Sequence, residues 1–85
     1  MPRVEMYTTS SCPFCIRAKR LLEARGIPFS EIDVGSNDEL RADVMKRTGR
    51  RTVPQIFIDG RSIGGFDELA AMDSAGELRD LTSPA

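Results

Sequence analysis

The sequence has no histidine, no tryptophan, only two cysteines, and no apolar run near the length of a membrane span. Without histidine there is no imidazole base to activate a nucleophile. A structural zinc site needs four nitrogen or sulfur ligands, which two thiols cannot supply within one chain, so no metal site is expected. Strong charge of either sign is missing too. Lys and Arg total 12 against 13 Asp and Glu, a formal charge of −1. Such a chain has no general attraction for nucleic acid or anionic membranes, and its partners should be small or weakly held.

What is present fits one small folded domain. With 85 residues, 40% of them hydrophobic and 29% charged, the chain has room for a single domain over residues 1–85 with a thin core, and it is too apolar for disorder. Met1-Pro2-Arg3 passes into a strand pattern without an apolar leader, which leads us to expect a cytoplasmic protein. In that reducing compartment a lone vicinal dithiol is more readily explained as catalytic than as structural.

The dithiol is Cys12-Pro13-Phe14-Cys15, preceded by the polar Thr9-Ser10-Ser11. Two cysteines at this spacing on a helix lie on one face about a turn apart, near the separation a disulfide prefers, roughly 5.5 Å between α-carbons. Proline is well tolerated at the first helical position, which would make Cys12 the N-cap, its sulfur facing unpaired amides and the positive end of the helix dipole. That environment favours an anion on sulfur. The plain alternative is two small core residues that happen to be cysteines. Pro13 and an exposed cap position argue against it.

Elements follow in the order βαβαββα. Arg3–Tyr7 alternates as a strand. A helix from Pro13 carries Cys15, Ala18, Leu21 and Leu22 on one face and stops at Gly26, with Pro28 beyond. Phe29–Val34 is a second strand, parallel to the first by the right-handed crossover rule. Ser36 and Glu39 have capping-box spacing ahead of a helix with Leu40, Val44 and Met45, ending at Gly49. Gln55–Asp59 and Arg61–Ile63 flank Asp59-Gly60, a hairpin signal. After Gly64-Gly65, a third helix carries Phe66, Leu69, Ala70 and Met72, with Leu78 and Leu81 closing the C-terminal end. This order predicts an α/β fold with a mixed four-stranded sheet and flanking helices, the thioredoxin fold.

Three blocks, Cys12-Pro13-Phe14-Cys15, Thr52-Val53-Pro54 and Gly64-Gly65-Phe66-Asp67-Glu68, together resemble the glutaredoxins, over about Val4 to Leu81. The resemblance implies glutathione-dependent thiol-disulfide exchange on glutathione mixed disulfides and on protein disulfides. Glutathione would be co-substrate, with no tightly bound cofactor, and the protein a monomer. It implies that Cys12 is the nucleophile and Cys15 the resolving thiol, with Arg17, Lys19 and the helix dipole stabilising the Cys12 thiolate. Pro54 would be a cis-proline that leaves the Val53 N–H and C=O unpaired for a peptide-like ligand, beside Thr52. Gly65, Phe66 and Asp67 would hold the γ-glutamyl end, Phe14 would form an aromatic wall, and Arg41 would meet the glycine carboxylate. A solvated helix face accounts equally for Arg41 and for Arg50 and Arg51.

Phe14 stands where the family usually has tyrosine, and Thr9 where many members have lysine. Thr9 leans slightly toward an alternative, a redoxin fed by thioredoxin reductase and serving ribonucleotide reductase. A further alternative is a carrier dimer in which two Cys12 thiolates and two glutathiones ligate a 2Fe-2S cluster, against which Pro13 argues.

Overall fold

The structure, a computed structural model, describes residues 3–81. The Met1-Pro2 start and the side chain of Leu81 lie outside the described residues. The elements are β1 (Val4–Thr8), α1 (Pro13–Ala24), β2 (Ser30–Asp33), α2 (Asp38–Thr48), β3 (Gln55–Ile58), β4 (Arg61–Gly64) and α3 (Phe66–Ser74), followed by a 3-10 turn at Glu77–Leu81. The sheet order is β2-β1-β3-β4, with β1 parallel to β2 and antiparallel to β3, and β3 antiparallel to β4. This is the expected mixed sheet of the thioredoxin fold.

Strand alternation divides the apolar residues between two faces. Val4, Met6 and Ile56 pack with Ala18 and Leu22 of α1 and Leu69 of α3. On the other face Tyr7 and Phe57 meet Val34, just past β2, and Val44 of α2. Those two rings lie edge to face with centroids 5.5 Å apart, and the Arg47 guanidinium covers Phe57 at 4.3 Å. The chain is thus a helix-sheet-helix sandwich with α1 and α3 on one side.

Apart from one-residue shifts at the ends of β1, β3 and β4, two element boundaries differ from expectation. The helix start assigned to Ser36 and Glu39 belongs to Asn37, whose Oδ1 accepts the Leu40 N–H at 3.0 Å. With the helix beginning at Asp38, Asn37 is the residue whose short side chain reaches the third helical amide. Strand β2 is shorter than Phe29–Val34 because it lies at the sheet edge with only Ile32 turned partly inward, while Val34 leaves the strand and donates its N–H to the Thr8 carbonyl. The hairpin turn is as expected: Asp59 at φ 52° and Gly60 at φ 81° are both left-handed, as a tight two-residue hairpin requires.

Register decides where function can lie. Tyr7, near the end of β1, pairs with Gln55 at the start of β3, and Ile56 pairs with Gly64 at the end of β4. The segments after β1, before β3 and after β4 therefore leave the same end of the sheet. These are the segments that hold Cys12, Val53-Pro54 and Gly65-Phe66.

Leu22 is fully buried between α1 and the sheet. Leu22→Ala should destabilise the fold by about 2–5 kcal/mol, read from the urea midpoint at unchanged slope; a loss below ~1 kcal/mol would mean that this face collapses around the gap.

Candidate active site

Cys12 is the N-cap of α1, with φ −108° and ψ 107°, and Pro13 begins the helix. The Cys15 N–H donates to the Cys12 Sγ at 3.1 Å, so the sulfur does the work a serine or aspartate oxygen does at other helix starts. On its other side the Cys12 thiol donates to the Val53 carbonyl at 3.4 Å. No disulfide joins Cys12 and Cys15 in this structure. The exposed cap position expected from sequence is corrected here: Cys12 is only 8% exposed and Cys15 1%, because the Val53 segment lies over the first sulfur and α1 packs the second against the sheet. The Cys15 thiol is pushed up to about 12, first by burial and then by its hydrogen bond with Cys12, with the charge on Cys12 adding to the rise. The two sulfurs are therefore unequal.

The Val53–Pro54 peptide bond is cis, as expected. Val53 differs in one respect: its C=O is engaged by the Cys12 thiol, while its N–H forms no hydrogen bond among the described residues. The segment is held from below by Gln55, a residue that sequence reasoning missed. Gln55 is fully buried, and its Nε2 donates to the Thr52 carbonyl at 2.9 Å and to the Thr52 hydroxyl at 3.3 Å, while its Oε1 has no partner among the described residues. The available signal was a polar residue immediately after Pro54 opening an otherwise apolar strand.

Beside this segment runs a groove of about 180 Å³. Thr52, Val53 and Pro54 form one wall, Gly65, Phe66 and Asp67 another, and Phe14, Arg50 and Glu68 complete it. Phe14 is half exposed, 6.2 Å centroid to centroid from Phe66, and the Arg17 guanidinium lies 5.3 Å from its ring centre. Gly65 is the N-cap of α3, and a β-carbon on it would stand 3.0 Å from the Pro54 carbonyl oxygen, so the absence of a side chain lets α3 start against the proline. The Gly65 N–H donates to the Glu68 carboxylate at 2.7 Å, and Arg50 donates to the same oxygen at 2.7 Å. Both contacts hold the Glu68 carboxyl below its usual range. Glu68 was also missed, although a glutamate three residues after the cap is a known helix-start spacing.

The groove thus brings together every expected site residue except one outside the dithiol. Arg41, in the first turn of α2, lines a separate depression with Thr9, Ser10, Ser11, Asp33 and Ser36. Helix α2 packs on the sheet face opposite α1 and α3, and the groove's own cation is Arg50, which follows the end of α2. Lys19, expected to support the Cys12 thiolate, is committed to Glu31 at 3.1 Å. Glu31 also accepts from the Thr8 hydroxyl at 2.8 Å. Among the described residues no group of three or more Cys, Asp or Glu is arranged to hold a metal ion, and no helix is long and apolar enough to cross a membrane.

The glutaredoxin family model matches residues 4–63. The chain is 49% identical to Glutaredoxin 3 of Escherichia coli (strain K12) over 81 residues, covering 95% of this chain and 98% of that protein. It is 48% identical to a glutaredoxin of Pseudomonas aeruginosa over 83 residues, covering 98% and 99%. Among solved structures, the buckwheat glutaredoxin-glutathione complex superposes with a TM-score of 0.87 at 29% identity, over 94% of this chain and 76% of that one. The solution structure of glutaredoxin from Brucella melitensis gives 0.83 at 47% identity, over 93% and 86%. The chain belongs to the glutaredoxin family and is a glutathione-dependent thiol oxidoreductase.

Unequal sulfurs lead to two outcomes. At pH 8 a thiol titrating at about 12 is ionised in roughly one molecule in ten thousand. Iodoacetamide should therefore label Cys12 at least about tenfold faster than Cys15, read by fragment mass spectrometry of the peptide carrying both; equal labelling would contradict the assignment. Because folding raises the Cys15 value, its neutral form is favoured by the fold, and the stability this contributes is complete below about pH 9 and lost as pH climbs toward 12. Urea midpoints of the reduced protein should fall over that interval less steeply in Cys15→Ser, and parallel curves would show that the burial of Cys15 is not coupled to folding.

Proposed function

We propose that this glutaredoxin-family chain reduces glutathione mixed disulfides through Cys12 alone and protein disulfides through Cys12 and Cys15 together, as a single-domain cytoplasmic monomer. The observation that carries the reading is the Cys12 sulfur, held between the Cys15 N–H and the carbonyl of Val53, a residue that lines the groove.

In the first step the Cys12 thiolate attacks the glutathione sulfur of the mixed disulfide. A Cys12–glutathione disulfide forms, the bond to the substrate sulfur breaks, and the substrate leaves as a thiolate that takes a proton from water. A second glutathione thiolate then attacks the bound glutathione sulfur, glutathione disulfide departs, and Cys12 is again a thiolate. The Cys15 N–H aids this second step most, since a sulfur that receives a hydrogen bond as it becomes an anion is a better leaving group.

Cys15 is not needed in that cycle, because a second glutathione regenerates Cys12, and in the free protein Cys15 is buried and protonated. Two of the causes that raise it, the hydrogen bond and the charge of Cys12, vanish once the Cys12 sulfur is tied up in a mixed disulfide, which leaves burial as the main restraint. Only then does Cys15 become competent to attack Cys12 and expel a protein thiol.

For the ligand, an extended cysteine backbone fits the unpaired Val53 N–H as an added strand would. The aromatic walls of Phe14 and Phe66 flank it beside Thr52 and Pro54. The γ-glutamyl end fits the start of α3, with Asp67 facing the ammonium.

Cys12→Ser should abolish reduction of a glutathionylated peptide in an assay coupled to glutathione reductase. Cys15→Ser should keep a large part of it and lose reduction of a protein disulfide instead. Comparable loss of the first activity in both variants would sink the one-thiol route.

A further inference from the structure

We infer that Glu68 is a specificity-setting latch: in the free protein its carboxylate occupies the Gly65 N–H and the Arg50 guanidinium, and it must release Arg50 before the groove can hold a carboxylate of the ligand. The inference rests on the glutathione reading above and concerns how the same groove takes that ligand.

The contacts are well defined. One oxygen of Glu68 accepts from Gly65 N and from Arg50 Nη1, both at 2.7 Å. Gly64 makes room for it: the residue sits at φ +106°, and a β-carbon there would run into the Glu68 carboxylate. The Glu68 and Arg50 side chains are 42% and 46% exposed, so the pair opens to water without disturbing the core.

Charge gives the latch its effect. Among the described residues Arg50 is the only cation lining the groove, and Asp67 and Glu68 are both anions. While Glu68 holds Arg50, a ligand with two carboxylates and one ammonium meets a wall of net negative charge. Once Glu68 swings out, Arg50 faces one ligand carboxylate and Asp67 is left to the ammonium. An exposed ion pair is a small barrier, equivalent to about two- to fivefold in an equilibrium constant, so the latch tunes affinity without blocking entry. A ligand without carboxylates gains nothing from its release. Selectivity among disulfides is therefore set partly by a residue that touches neither sulfur.

The test uses the reduced full chain and one peptide prepared with its cysteine capped either by glutathione or by 2-mercaptoethanol. Glu68→Gln keeps an acceptor for the Gly65 N–H and removes the charge that holds Arg50. It should lower KM for the glutathione-capped peptide about two- to fivefold at unchanged kcat and leave the mercaptoethanol-capped peptide as it was. Arg50→Gln should raise KM for the glutathione-capped peptide alone, and Glu77→Gln, the same charge change outside the groove, should alter neither.

An unchanged or raised KM in Glu68→Gln would overturn the latch, as would an equal fall on both peptides or the same fall in Glu77→Gln. Should Glu68→Gln fail to fold by circular dichroism, Arg50→Gln still decides, since an unaltered KM there removes the cation the latch is meant to free. A wild-type protein that treats both caps alike would defeat the glutathione reading itself, and the latch with it.

Discussion

The hydrogen bond from the Cys15 N–H to the Cys12 Sγ is the contact on which the site depends. It exists because a helix begins at Pro13, and a helix beginning there leaves its first amides without backbone partners. In most helices that need is met by an oxygen that does no chemistry. Here the Cys12 sulfur meets it, so any change that unwinds the first turn of α1 removes both the cap and, on the function proposed above, a hydrogen bond to the nucleophile. Stability and reactivity are joined at one atom. The arrangement also gives the two cysteines opposite environments at a separation of one helical turn, one facing amides and a carbonyl, the other packed against the sheet.

The second constraint is antiparallel pairing. Because β1 and β3 run in opposite directions with Tyr7 opposite Gln55, the end of one strand and the start of the other share an edge of the sheet, and the hairpin returns β4 to the same edge at Gly64. Three segments far apart in sequence thereby converge without a long loop. Gln55 supports this convergence. Its amide oxygen has no partner among the described residues, and its nitrogen fixes Thr52 through two bonds. An apolar residue there would leave the Val53 segment untethered above Cys12.

Much of this was readable in the residues. Pro13 and the apolar spacing of α1, the Asp59-Gly60 turn and the Gly49 stop are local signals, and local signals gave the element order. The dithiol, the Thr52-Val53-Pro54 segment and the Gly65-Phe66-Asp67 turn were identifiable as well, two of them through family resemblance. What escaped depends on tertiary proximity. No pattern ties Gln55 to Thr52, or Arg50 to Glu68 across 18 positions. Arg41 was suggested by family resemblance, and its place in a depression apart from the groove follows from which face of the sheet α2 covers, decided by the packing of Tyr7, Phe57 and Val44. Lys19 looked available because its partner, Glu31, lies on the neighbouring strand β2. The exposure of Cys12 was overestimated for the same reason, since the segment that covers it comes from the other half of the chain.

Burial of the nucleophile at 8% exposure bears on what the protein can accept. A sulfur so covered is reached along the groove, where the Val53 N–H has no partner among the described residues and Phe14 and Phe66 form the walls. A slender extended peptide satisfies this geometry, and a glutathione moiety is such a peptide. For a glutathionylated protein, the moiety inserts while the protein remains outside as the leaving group. The groove then has no need to recognise the protein at all. On the function proposed above, one small fold serves many disulfide-bearing partners because the shape around Cys12 selects the tag they carry, and the asymmetry between Cys12 and Cys15 keeps the second thiol in reserve for partners that carry none.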